Sequence, residues 1–163
     1  MKRTLFIFLL AILITGCSKD NTMEDVFHKE MKELKDVDDY RLVKEVEEDH
    51  IILFTSYTKG DEQNNNHLQI VHFNKVNNDW VWDKTTSCNG KWSALLESKP
   101  YIWCGTLTEP RHEKVYVGDN EAKMIEVDVG AERVWYHLSV NENEDIKVVL
   151  TDGSEEWLKE VKK

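Results

Sequence analysis

Histidines are the first residues to weigh for chemistry, since imidazole is both the commonest metal ligand and the ordinary acid–base group near neutral pH. His67 and His72 stand five apart in one run of strand character. Side chains on a strand alternate faces with a period of two, so the pair points to opposite faces and does not converge on a metal. His28, His50, His112 and His137 fall on separate segments without ligand spacing. Asn141, Asn143 and Asp145 alternate like the start of a calcium loop. However, Ile146 stands where that loop needs glycine and Asp152 where it needs a bidentate glutamate, so a solvated hairpin loop is the better reading. None of the serines sits in a GxSxG elbow, the 7 glycines form no phosphate-cradling loop, and neither HExxH nor CxxC occurs. These patterns imply no cofactor and no metal. A carboxylate pair could still be hidden among the 31 acidic residues, because its defining separation is a tertiary quantity.

The 6 tryptophans and the cysteines say more. Trp80 and Trp82 lie on one face of a strand, where exposure would make a stacking surface for a sugar ring or a peptide and burial would make them core. The core or half-core reading is the stronger one, because large aromatics on strands usually fill interiors. Trp92 and Trp103 are the next candidates for an exposed contact, beside the loop that Cys88 and Cys104 would close. In an exported domain those two cysteines are expected to form a disulfide rather than two free thiols.

Export is indicated by the amino terminus. Lys2 and Arg3 precede an apolar run from Leu5 to Ile14, followed by Thr15, Gly16 and Cys17, which is the layout of a signal peptide. The run is about half the roughly 20 residues that a membrane-crossing helix requires. Ile14, Thr15, Gly16 and Cys17 together resemble the lipobox of bacterial lipoproteins. That resemblance implies cleavage before Cys17, a diacylglyceryl group on its thiol, and a protein anchored by lipid on the extracytoplasmic side of the cell membrane. Residues 1–16 are then the signal peptide, 17–21 the lipidated cysteine with a short tether, and 22–163 a single domain long enough to bury a core. The formal charge of −10 becomes −12 once Lys2 and Arg3 leave with the leader. Such a balance argues against nucleic acid and anionic lipid surfaces and leaves a basic protein or a cell-wall component as the expected partner.

The elements that would carry these residues follow from periodicity. Met23, Val26, Phe27, Met31 and Leu34 recur at helical spacing, with Thr22 and Asp25 placed as a capping box, which predicts an amphipathic helix over 22–34. Strands are predicted at 40–46, 50–57, 67–73, 80–85, 101–107, 114–117, 123–129, 133–140 and 146–150. Asn77 and Asn78 mark one tight turn and Asp152 and Gly153 another. Residues 91–99 read as either a short helical turn or an irregular crossover, and 154–161 as either a strand or a short helix. The fold class is α+β and mostly β: an N-terminal amphipathic helix followed by an antiparallel sheet or a two-sheet sandwich.

A further likeness rests on Val115–Gly118, Ala122–Ile125, Arg133–Tyr136, Ile146–Val148 and Asp152–Gly153, joined in the first half by Ile51–Tyr57, Leu68–Phe73 and Asp79–Trp82. This layout resembles a group of small exported lipoproteins of Bacillus-type bacteria over most of the mature chain. It implies location and fold class and carries no catalytic residue. The expected function is a membrane-anchored binding or interaction module. The alternatives are an immunity or inhibitor protein against a cationic exported protein, and an enzyme acting on the cell wall.

Overall fold

The computed structural model describes residues 21–34, 37–58, 67–88, 90–126 and 133–158. The leader, Cys17 and most of the tether lie outside these residues, as do parts of the strand expected at 123–129 and of the tail.

Helix α1 spans Met23–Glu33 and starts at a complete capping box: the Thr22 hydroxyl accepts from the Asp25 amide while the Asp25 carboxylate accepts from the Thr22 amide. Met23, Phe27 and Met31 are buried at i, i+4 and i+8, one line along the helix. The strands that follow are β1 (Val37–Val46), β2 (Ile51–Thr58), β3 (His67–Val76), β4 (Asp79–Ser87), β5 (Ser93–Leu95), β6 (Tyr101–Leu107), β7 (His112–Val117), β8 (Asn120–Glu121), β9 (Lys123–Glu126), β10 (Arg133–Ser139), β11 (Ile146–Leu150) and β12 (Glu155–Trp157). All their pairings are antiparallel, so the protein is mostly β, with one helix followed by antiparallel sheets. Asn77 and Asn78 take positive φ in the two-residue turn between β3 and β4, as a twist-matched hairpin turn requires. The ambiguous segment 91–99 contains the short strand β5, and the tail returns as β12 through the Asp152–Gly153 turn.

The strands form three four-stranded sheets. Sheet A is the meander β1-β2-β3-β4, sheet B has the order β5-β6-β10-β9, and sheet C has the order β12-β11-β7-β8. Beyond β4 the chain alternates in pairs of strands, two in B and two in C, and so weaves these sheets into a sandwich.

Side-chain alternation shows how the layers stack. Ile52 and Phe54 on β2, with Val71 and Phe73 on β3, join the three buried residues of α1 in one apolar cluster. Their neighbours Ile51, Leu53, Leu68 and Ile70 face the other way and pack with Ile102, Cys104, Val134 and Tyr136 of sheet B. On the far side of B, Tyr101, Trp103 and Trp135 meet Val115, Val117, Ile146, Val148 and Leu150 of sheet C. The order is therefore α1, A, B, C. Sheets A and B are covered on both faces, which is why Ile51–Phe54 on β2 and Tyr101–Cys104 on β6 read as unbroken apolar runs. Each buried Leu, Ile or Phe in these interfaces contributes roughly 1.5–3 kcal/mol.

Two local features hold the layers in register. Cys88, just after β4, is disulfide-bonded to Cys104 on β6, with Cα atoms 5.2 Å apart, and ties A to B. At Gly105 the chain around Lys91 crosses β6 so closely that a Cβ would overlap the Lys91 carbonyl oxygen and lie 2.8 Å from Trp92 Cα.

Candidate functional site

The aromatic pair on β4 is the place to build from. β4 is an edge strand of sheet A, and α1 lies across it. Trp80 and Trp82 are both half-buried on the α1 side, intermediate between the exposed platform and the closed core that the sequence allowed. The Trp82 indole stacks on Phe27, with ring centroids 5.9 Å apart and planes 5° off parallel, and it takes the edges of Phe54 and Phe73 at 6.4 and 5.7 Å. Trp80 lies further out, edge-on to His50 at 4.9 Å with the Lys75 ammonium 5.0 Å from its ring.

A one-residue irregularity decides what accompanies them. His72 pairs with Lys84 and Phe73 with Trp82, so Asp83 is an unpaired bulge. The bulge reverses the phase of the strand. Thr85 therefore lines the same face as Trp82, while Lys84 turns toward sheet B, where its ammonium donates to the Ser98 carbonyl at 2.6 Å and to Ser98 Oγ at 3.0 Å. Bonded to both oxygens, Lys84 holds the loop before β6. His72 is buried and bonded to Asp83 at 3.0 Å. Burial holds its pKa below the ordinary histidine value, outweighing the Asp83 carboxylate that pulls it up.

Two cavities flank Trp82 beneath α1. One, of about 420 Å³, lies by the first half of the helix, between Asp25, Val26, Lys29 and the Trp80–Trp82 stretch. The other, of about 450 Å³, lies beyond the helix's last turn, with Met31, Leu34, Val37, Phe54 and Trp82 as apolar walls and Ser56, Gln69 and Thr85 as neutral polar groups. Glu30 borders both. Each volume falls in the range of about 300–1,000 Å³ usual for small-ligand sites. Gln69 Nε2 donates to Ser56 Oγ at 2.7 Å, whereas Thr85 Oγ1 is buried without a hydrogen-bond partner among the described residues.

No family model, curated protein or solved structure matches the chain. The site is therefore read from its own geometry.

The other tryptophan candidates separate. Trp103 is only 3% exposed, because its position on β6 faces sheet C, so it is core and not the exposed contact expected. Trp92 is half-buried against the same cluster, 5.8 Å from Trp103. Neither belongs with Trp80 and Trp82. Trp157, 59% exposed on β12, is a large exposed aromatic that was not among the candidates read from the sequence. Its only signal was its place in an otherwise acidic, apolar-poor tail.

A second polar junction lies where A meets B. Asp49, in the turn Glu47–Asp49 between β1 and β2, accepts from Tyr136 OH at 2.7 Å and from Lys123 Nζ at 2.5 Å. Burial alone would raise the Asp49 pKa, but hydrogen bonds from Lys123 and Tyr136, with the Lys123 charge, hold it below the ordinary carboxylate value. Burial and the same carboxylate push the Tyr136 phenol far above its ordinary value, so Tyr136 stays a neutral donor. This junction closes the seam between sheets. Among the described residues no cluster of three or more His, Cys, Asp or Glu could hold a metal ion, and no helix is long and apolar enough to cross a membrane.

Proposed function

We propose that this protein is a lipid-anchored extracytoplasmic binding module whose binding side is the α1 face of sheet A. The observation that carries the binding site is the half-buried Trp80–Trp82 pair with a cavity on either side of Trp82. The leader and the lipobox-like Ile14–Cys17 support the location, with Cys17 as the lipid attachment point. Recognition is favoured over chemistry because aromatic and aliphatic side chains make most of the walls of the two cavities, with Ser56, Gln69 and Thr85 in one and the charged Asp25 and Lys29 in the other, and Glu30 at both.

The test has two readouts on the full chain. Labelled palmitate should enter the wild-type protein and not Cys17→Ser, and an envelope component retained by the wild type should be lost at least tenfold in Trp80→Ala. Equal labelling of the two proteins would remove the anchor. Equal retention by Trp80→Ala would remove the α1 face as the binding side.

The mature charge of −12 favours a second reading, an immunity or inhibitor protein that blocks a cationic exported protein. The two readings differ in what binds: a small ligand in the cavities, or a basic protein held by charge and released by salt.

A further inference from the structure

We propose that the outer end of the β3–β4 hairpin docks in the head-group layer of the lipid bilayer and so orients the domain on the membrane. The proposal rests on Cys17 being the lipid attachment point. The last contacts of β3 with β2 are His72 opposite Ile51 and the Phe73 amide bonded to the His50 carbonyl. Beyond them Asn74–Val76 and Asp79–Val81 continue as a ribbon of two strands, about 10 Å long at the usual rise of a strand. Pairing puts Lys75 opposite Trp80 on one face of the ribbon, with Val76 and Val81 on the other. Val76 is 51% exposed and Val81 44%, so the ribbon carries apolar side chains out of the fold.

What stands beside the ribbon decides its partner. Asn21, the residue before the Thr22 cap, borders the smaller cavity together with Trp80 and Val81, so α1 begins next to the ribbon. Cys17 is four Cα-to-Cα steps before Asn21, a reach of at most about 14 Å. A lipid on Cys17 therefore holds the bilayer close to Val76 and Val81. Such tethering makes the second contact intramolecular, and a patch too small to bind a membrane from solution then suffices to set the orientation. Valine and tryptophan favour the apolar side of the interface, and the Lys75 ammonium, 5.0 Å from the Trp80 ring, favours the phosphate side. Asn77, Asn78 and Asp79 at the tip keep the contact shallow, because hydrocarbon would leave their polar groups unpaired. The charges of Lys75 and Asp79 cancel, and Glu47, Glu48 and Asp49 lie in the turn before His50, which touches Trp80. The contact is therefore apolar and does not depend on anionic lipid.

The test uses the full chain, lipidated and reconstituted in phosphatidylcholine vesicles whose lipid carries a nitroxide just below the head group. With Cys17 acylated and Cys88 bonded to Cys104, a fluorophore goes to the introduced thiol. That thiol is Val76→Cys or, as control, Glu33→Cys at the exposed far end of α1, about 15 Å along the helix from Met23. The nitroxide should quench the Val76 site roughly threefold or more above the Glu33 site, as a contact confined to the interface requires. Val81→Asp, a change at an exposed position, should lower quenching at the Val76 site about twofold or more and leave the thermal midpoint nearly unchanged. Added phosphatidylglycerol should not raise the quenching. Equal quenching at the two sites, no effect of Val81→Asp, or quenching that requires phosphatidylglycerol overturns the proposal. So does a Val76 label shielded from iodide in the Cys17→Ser protein without vesicles, which would assign the ribbon to a second copy of the chain. Labelled palmitate entering at Cys17 in any of these events leaves the anchor standing while the docking falls. Failure of palmitate to enter removes the anchor and the docking together.

Discussion

Gly105 and His72 are the single residues on which the fold depends in the most specific ways. Gly105 allows the backbone at Lys91 and Trp92 to cross β6 in contact, and because the obstacle is backbone, it cannot rotate aside. Gly105→Ala should lower stability by about 1–3 kcal/mol in urea unfolding, the usual cost of overpacking, and should disturb the Trp92–Trp103 contact seen by fluorescence. His72 makes stability depend on pH. Burial keeps it neutral in the folded protein, so its folded pKa lies below the 6.5 of the free side chain. As pH falls through 6.5 the unfolded chain takes up a proton that the folded state refuses, and stability is lost until the folded pKa is reached. His137, lowered by burial as well, acts in the same direction. Unfolding free energy should therefore decline from about pH 7 to pH 5, and His72→Gln should flatten that decline; an unchanged slope in the variant would show that His72 is not the group responsible. Neither role could be read from sequence, since one depends on a crossing of remote segments and the other on burial.

Among the elements, α1 and the Cys88–Cys104 link matter most. The capping box satisfies two amides at the start of α1, and the helix borders both cavities, so its first turn bears on the site as well as on stability. Thr22→Ala should cost about 1 kcal/mol. The disulfide closes a loop with a sequence separation of 16, for which loop entropy predicts roughly 3 kcal/mol. Replacing both cysteines by alanine should lower stability by about that amount, measured by denaturant unfolding. Intact mass after alkylation without reduction should show no added groups on Cys88 and Cys104. At this scale much was legible: α1, its cap, the Asn77–Asn78 turn and the spans of β6 and β11 follow from periodicity and turn chemistry. What escaped was short or dependent on neighbours. β5, β8 and β12 have 3, 2 and 3 residues, too few to show alternation.

For the whole molecule, the proposed anchor acts through a short tether. The five residues between Cys17 and α1 make six Cα-to-Cα steps, at most about 22 Å, so a lipid on Cys17 would keep the start of α1 near the membrane. Cys17→Ser should move the protein from the membrane fraction to the soluble envelope fraction. If a macromolecular partner exists, the charge of −10, which cleavage of the proposed leader would take to −12, favours a basic protein, and binding should weaken as salt shortens the Debye length from about 10 Å at 0.1 M to about 3 Å at 1 M. Titration calorimetry at both salt levels decides this: affinity indifferent to salt would remove the inhibitor reading.

The sequence by itself determined the element types. Periodicity, caps and turn residues are local, and they sufficed for a helix followed by antiparallel strands, for the β3–β4 and β11–β12 turns, and for the shared face of Trp80 and Trp82. Only the tertiary structure decided how the strands divide among three sheets, because an unbroken apolar run such as Ile51–Phe54 states that both faces are covered without stating by what. It also decided which tryptophans are core. Trp103 and Trp82 look alike in sequence, yet one lies between two sheets and the other at an edge strand under a helix. The cavity was hidden for a more specific reason. Strict alternation along β4 would put Lys84 in line with Trp80 and Trp82, and it is the bulge at Asp83, fixed by pairing with β3, that puts Thr85 there instead.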